Sequence, residues 1–514
     1  MADRANNFFH RERHGDEPPS HNYTMIQAFE WHSEGNGKHW KWFKDRVKHL
    51  ADLGITAAWL PPPTKASSME GNGYDIYDLF DLGEFPNKED PKKTRTKWGT
   101  KEELVDAVRQ ARECGVAVYI DAVLNHKAGA DFSETCKAKE VNSNNRNEEI
   151  SDAYEIEAWT GFNFPQRKGK YSEFEWHSHH FTGVDYDNKN KKKAIFKIEG
   201  NGKAWATDVD EENGNFDYLM FSDLDHSHPE VSDECKKWGI WIIKELGAAG
   251  FRFDAVKHMD RGFVADFIKH VRREVGNPDL FAVGEFWKDD IDTISAYLEG
   301  LDAQFSVFDA PLHYNFKKAS DEGENYDIRQ IFDDTLVQCR PVDAVTMVDN
   351  HDTQPYEALE SWVGPQFKPL AYSIILLRPD GYPCVFLGDL EGIKGEHKFE
   401  PMSQLDDLIR ARKLFAYGPM KDYWDHERCA GWVRDGDERH DGCAVVISNG
   451  GEGTKRMEVG RNHSGEEWTD CLGWHPDTIC IGEDGWAEFK CPASSVSVWT
   501  KKDAKGRDEY KRKA

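Results

Sequence analysis

The sequence predicts an α/β protein: a (β/α)8 TIM barrel, with a β-rich subdomain inserted after its third strand and an antiparallel β-sandwich at its carboxyl end. Three observations predict it. Short apolar runs alternate with amphipathic helical segments along most of the chain up to Gly418, the rhythm of a parallel sheet. That rhythm stops after strand three for roughly a hundred residues, much longer than an ordinary loop. Beyond Gly418 it gives way to short alternating segments separated by Gly, Asp and Asn, as in a small sandwich. A doubly wound open sheet is the competing architecture, but no glycine-rich phosphate loop follows any strand.

In chain order, residues 1–20 are expected to be a disordered head. MIQAFEW (Met25 to Trp31) is strand one, and an amphipathic helix from His39 to about Leu53 ends at Gly54, a C-cap residue. ITAAWLPP is strand two. Thr100 and Glu103 form a capping box for a helix ending near Cys114, and VAVYIDAVLNH (Val116 to His126) is strand three. The polar, aromatic-rich stretch 127–227 is the inserted subdomain. A helix from Glu230 to Ala249 leads into GFRFDAV, followed by helix Phe263–Val275, strand FAVGEFW, a short helix near Leu298 and strand FSVFDA. Helix Ile328–Val337, strand AVTMVDNHD, helix Pro369–Leu377, strand PCVFLGD and helix Ser403–Tyr417 complete eight strands. The barrel thus takes residues 21–126 and 228–418, the sandwich 419–500, and a charged, disordered tail 501–514.

Composition narrows the function. The net charge of −27 argues against nucleic acid or an anionic membrane surface as partner and fits a neutral substrate or a bound cation. Eighteen Trp suit carbohydrate, whose C–H faces stack on flat rings, although large aromatics also fill ordinary cores. No stretch is long and apolar enough to span a bilayer. The ten cysteines show no CxxC pairs and are expected to be free thiols in a reducing, cytoplasmic setting, with a secreted form lacking its signal as the alternative.

The chemistry collects at strand ends. In GFRFDAVKH (Gly250 to His258) the period-two pattern turns Arg252 and Asp254 to the same side, where the arginine is expected to lower the aspartate's pKa. Alone, this would be a structural ion pair. Asp121, Asn125 and His126 end strand three, Glu285 ends strand five, and Asp349 to Asp352 end strand seven. One barrel rim brings these ends together, and crowded carboxylates in different settings split into acid and base roles. Two such groups flanking a bond between sugars are what glycoside hydrolysis needs.

In order and placement, DAVLNH, GFRFDAVKH, GEFW and VDNHD resemble the signature regions of the α-amylase family of glycoside hydrolases. The resemblance extends through QAFEW, GYDIYDLFDLGEF, RTKWGTKEEL and GNFDYLMFSDLDHSHPEV, and is nearest to the bacterial liquefying and intracellular fungal members. It implies Asp254 as nucleophile, Glu285 as general acid and base, and Asp352 as transition-state stabiliser. It further implies that Tyr74, His126, Arg252, Lys257, His258 and His351 bind substrate. It implies one structural Ca²⁺ between insertion and barrel, held by Asn125, Asp217, Asp223 and the backbone carbonyl of His258. Thr182, Ala206 and Ser227 stand where the liquefying members carry aspartates for further cations, so a single calcium is expected even though Asp225 remains. The implied activity is endo-acting, retaining hydrolysis of α-1,4-glucosidic bonds by a monomer, with an α-glucan as substrate. A 4-α-glucanotransferase and a non-catalytic glucan-binding protein are the alternatives.

Overall fold

The computed structural model describes residues 22–513, so the head expected over 1–20 lies outside the described residues. Eight parallel strands close into a barrel: β1 (Met25–Gln27), β2 (Ala57–Leu60), β3 (Ala117–Ala122), β4 (Gly250–Phe253), β5 (Phe281–Gly284), β6 (Ser306–Phe308), β7 (Ala344–Met347) and β8 (Tyr382–Phe386). β8 closes the ring on β1 with Met25 opposite Cys384. Alternate residues point inwards, so Met25, Trp59, Tyr119, Phe281, Val283, Val345, Met347 and Tyr382 fill the barrel's centre. The opposite faces pack against the surrounding helices, with Ile26, Ala58, Ile120 and Phe251 among the fully buried residues there.

The surrounding helices are α1 (His39–Leu53), α2 (Lys101–Glu113), α3 (Pro229–Leu246), α4 (Arg261–Val275), α5 (Ile291–Gly300), α6 (Ala310–Glu322), α7 (Lys368–Leu377) and α8 (Leu405–Phe415). The capping box of α2 forms as expected: Glu103 N donates to Thr100 Oγ1, and Thr100 N donates to Glu103 Oε2. The helix expected over Ile328–Val337 does not form. That stretch holds a 3-10 turn, Ile328–Gln330, and the start of the short helix Leu336–Cys339, separated by Asp334 at φ +55°. The amides of Leu336 and Val337 donate to Asp309 rather than to carbonyls of a preceding turn. Asp309 also caps α6, which the sequence reading passed over.

The insertion forms a seven-stranded sheet, beginning with the short strand His126–Lys127 and returning to the barrel through Ser222–Leu224. The carboxyl-terminal region forms a six-stranded antiparallel sheet faced by the pair Gly453–Glu458 and Trp486–Cys491. Trp432 and Arg434 of that sheet donate to the carbonyl of Leu377 at the end of α7, anchoring it to the barrel. The tail expected to be disordered is a 3-10 segment, Arg507–Lys513, held where Tyr510 bonds the carbonyl of Asp407 and Arg507 bonds Thr469. All ten cysteines are free thiols. No helix among the described residues is long and apolar enough to cross a membrane.

Candidate active site

The parallel register assembles the centre. Arg252 on β4 lies opposite Asp121 on β3 and Val283 on β5, so Asp254 and Glu285 emerge one step beyond adjacent strand ends. Two backbone bonds continue the ladder past the strands: Asp254 N to Ala122 O and Glu285 N to Phe253 O. Gly284 permits the approach, because a Cβ there would stand 2.6 Å from the Phe305 ring. Ala255 then turns the chain sharply at φ +51°, a costly conformation for a residue with a Cβ. Its amide donates to Glu285 Oε2 at 3.2 Å.

Arg252 is fully buried and forks among three carboxylates. Nη1 donates to Asp121 Oδ1 and to Asp254 Oδ1, both at 2.9 Å, and Nη2 donates to Glu285 Oε2 at 2.7 Å. Asp121 is further held by Trp59 Nε1 and Tyr74 OH, each at 2.9 Å, so it positions its neighbours. The sequence led us to expect that Arg252 would lower the pKa of Asp254. Burial instead pushes Asp254 up to about 8, with Glu285 and Asp121 adding to the rise and Arg252 opposing it. One guanidinium divided among three buried acids does not offset the burial of Asp254 or of Asp121.

Asp352 belongs to a turn that Asn350 builds by accepting the amides of Asp352 and Thr353. Burial, then the charge of Glu285, push Asp352 well above the carboxylate range, and the two carboxyls share a hydrogen bond. Gln27 donates to His351 Nδ1 at 3.0 Å, so the proton of that ring sits on Nε2, 3.6 Å from Asp352 Oδ2. Asp349, behind this turn, pairs with Lys368 at 2.8 Å.

Tyr74, Trp31 and His351 lie nearly parallel in a triangle, with Tyr74 6.0 Å from Trp31 and 5.0 Å from His351 and these two 5.9 Å apart, forming an aromatic wall beside the carboxylates. His126 lines the cleft but directs Nε2–H to the Tyr74 carbonyl at 2.8 Å, which holds Tyr74 in place. Lys257 bridges Glu212 and the Trp287 carbonyl. His258 donates from Nδ1 to Phe216 O at 2.7 Å, and burial pushes its pKa down to about 3. The residues proposed for catalysis and substrate therefore share one cleft, with Arg252 beneath it. Sequence reasoning missed Gln27, Glu212 and Trp287; Gln27, at the end of β1, and Trp287, in the GEFW segment just past β5, carried a topological signal, and Glu212 did not.

The residues proposed for calcium lie beside the insertion. Asn125 Oδ1 is buried without a partner, and its amide faces Asp223 Oδ1 at 3.4 Å. Asp217 is pushed up to about 7, chiefly by burial, and Asp223 is raised well above its usual range by burial and by Asp217. Among the described residues no lysine or arginine pairs with either aspartate, and Thr182 donates to Asp223. His258 enters through its bond to Phe216, the neighbour of Asp217. Buried hard oxygens with no cation of their own fit Ca²⁺.

Comparison with known proteins decides the family. The α-amylase catalytic-domain profile matches residues 28–439, and the α-amylase C-terminal profile matches residues 443–500. The chain belongs to the α-amylase family. It is 48 % identical over 484 residues to the glucan 1,4-alpha-maltohexaosidase of Bacillus sp. (strain 707), covering 94 % of this chain and 93 % of that one. It is 41 % identical over 491 residues to the cytoplasmic alpha-amylase of Escherichia coli (strain K12), covering 93 % and 98 %. Among solved structures, the α-amylase of Geobacillus thermoleovorans complexed with acarbose aligns with a TM-score of 0.60 at 19 % identity, covering 93 % of this chain and 98 % of that one. That likeness concerns the fold. As a family member the protein is a glycoside hydrolase.

Proposed function

We propose that this α-amylase family member hydrolyses α-1,4-glucosidic bonds within starch, glycogen or maltooligosaccharides, by endo attack and with retention of configuration. The observation that carries the reading is the fork of Arg252 to Asp254 and Glu285. Two carboxyls one hydrogen bond from the same guanidinium favour the closer of the two glycosidase spacings, which leaves no room for a water between acid and base. Asp254 attacks the anomeric carbon, and Glu285 protonates the departing glycosidic oxygen. Glu285 then takes a proton from the water that opens the covalent glycosyl-enzyme. Asp352 stabilises the oxocarbenium-like transition state, and Tyr74 supports the ring that carries it.

Endo action is supported by the cleft's shape. Trp31, Tyr74 and Met220 line both the catalytic cleft and a second open groove running on past His32, Asn36 and Asn72. Such a groove admits a chain from the side. Asn125, Asp217, Asp223 and the carbonyl of His258 would hold one structural calcium, whose charge offsets the two buried acids and ties the insertion to the barrel. We further propose a monomer acting on a neutral glucan, with the free thiols kept in the cytoplasm.

The test follows maltoheptaose labelled at its reducing end. Shorter products released first as α-anomers by the wild type, and absent with Asp254→Asn, are expected. Products longer than the input would make the protein a transferase. β-Anomers would overturn retention.

A further inference from the structure

We propose that His179, His228 and Glu230 form a binding site for a late first-row divalent cation of the Zn²⁺ or Ni²⁺ class, with His180 as a positioning residue. The site lies outside the catalytic cleft and uses none of the residues assigned to calcium. Donor atoms of His179, His180, His228 and Glu230 all lie within 4.8 Å of one another. Zinc–nitrogen bonds of about 2.0–2.1 Å place tetrahedral donors roughly 3.4 Å apart, so the widest pair must close by up to about 1.4 Å. The exposed His179 and Glu230 side chains are free to make that movement.

Local bonding separates the ligands from the group that holds them. His177 N donates to His180 Nδ1 at 2.9 Å, so the ring proton of His180 is on Nε2 and points at Glu230 Oε2, 3.3 Å away. His180 thus orients the carboxylate as an outer neighbour, the role such groups take at metal centres. His228 Nδ1 is buried with no hydrogen-bond partner and lies 4.0 Å from Glu230 Oε2. The His179 ring centre is 5.6 Å from that of His228. Burial, with His228 nearby, pushes His179 below the ordinary histidine pKa, the direction that favours a ligand, which must be neutral. Lys203, which also acts on His179, is already paired with Asp225 at 2.6 Å.

Two imidazoles and one carboxylate leave a fourth position for water and select a borderline metal over Ca²⁺. The ligands come from two parts of the fold. His179 lies in the 3-10 turn Ser178–His180 that opens the insertion strand Phe181–Asp187, whereas His228 and Glu230 begin barrel helix α3. A bound ion would therefore cross-link insertion and barrel without touching the reacting groups.

The test uses the calcium-replete full chain, titrated calorimetrically with Zn²⁺ and, for a visible ligand-field band, with Co²⁺. Wild type, His179→Ala, Glu230→Gln and a control, His426→Ala on the exposed surface of the sandwich, are compared. One zinc per chain in wild type and control is expected, with affinity reduced at least tenfold in the two site variants. Zinc should also raise Tm in the wild type but not in His179→Ala. Because His179 is exposed, its variant should melt like the wild type before zinc is added. Wild-type protein that takes up no zinc at micromolar concentration, or unchanged affinity in His179→Ala, would overturn the proposal.

Discussion

Two groups of buried acids lie on either side of the junction between barrel and insertion, and they differ in the source of their positive charge. In the cleft, Asp121, Asp254 and Glu285 surround Arg252, which reaches all three. At the insertion, burial raises both Asp217 and Asp223, Asp217 adds to the rise of Asp223, and no described lysine or arginine forms an ion pair with either. Asp349 and Asp389 follow the first pattern, sharing Lys368. A cation built into the chain is always present but cannot be matched to every acid. It therefore offsets only part of the burial of Asp254 and Asp121, both of which are raised. Acids without a cation gain their full stability only when one is supplied.

The largest break in this comparison is Asp254→Asn. We expect kcat/KM on maltoheptaose to fall by about 10⁴-fold or more, as for loss of a covalent nucleophile. Stability should move the other way. Asp254 has a folded pKa raised to about 8, above its unfolded value, so the wild type loses stability as pH rises from the unfolded value towards 8. The variant's Tm should match the wild type below pH 4 and exceed it near pH 8. Equal Tm values across that range would remove the claim that crowding raises Asp254.

Next in size is Arg252→Leu, which leaves three buried acids without a cation. Breaking such a buried network costs about 3–5 kcal/mol. Urea unfolding at pH 7.5 should show a loss of this order, smaller at pH 5 where the acids can take up protons. A loss independent of pH would mean that Arg252 acts through packing against Trp59, 4.6 Å from its guanidinium, rather than through charge.

Chelation should have a smaller effect on the other cluster. Without a cation, Asp217 carries a pKa raised to about 7, so stability falls as pH rises through that value. With Ca²⁺ bound, the same carboxylates are held ionised and the fall disappears. The Tm difference between calcium and chelator should therefore widen from pH 5 to pH 8. A constant difference would place the calcium elsewhere.

How much of this was legible in the sequence follows from how local each signal is. The Thr100–Glu103 box spans four residues, and it formed as expected. The acids at strand ends were legible because a parallel barrel gathers those ends whatever lies between them. The division of Arg252 was not legible, because it depends on the register that sets Arg252 beside Asp121, 131 residues earlier. Helix α6 did carry a signal, Asp309 at the N-cap with Pro311 in the first turn, but the apolar pattern after Ile328 drew the assignment away. Asp309 then broke the expected helix by taking its amides, a contact across 27 and 28 residues. The tail's composition concealed the docking of Tyr510, and His179 and His228 come together only through the insertion's return path.

The most direct measurement of the central claim is calcium stoichiometry and affinity in wild type, Asp223→Asn and Asp254→Asn. If the two acid clusters differ in the source of their cation, wild type and Asp254→Asn will each bind one Ca²⁺ with equal affinity. Asp223→Asn will bind it at least tenfold more weakly. Full binding by Asp223→Asn, or loss of binding in Asp254→Asn, would contradict the account.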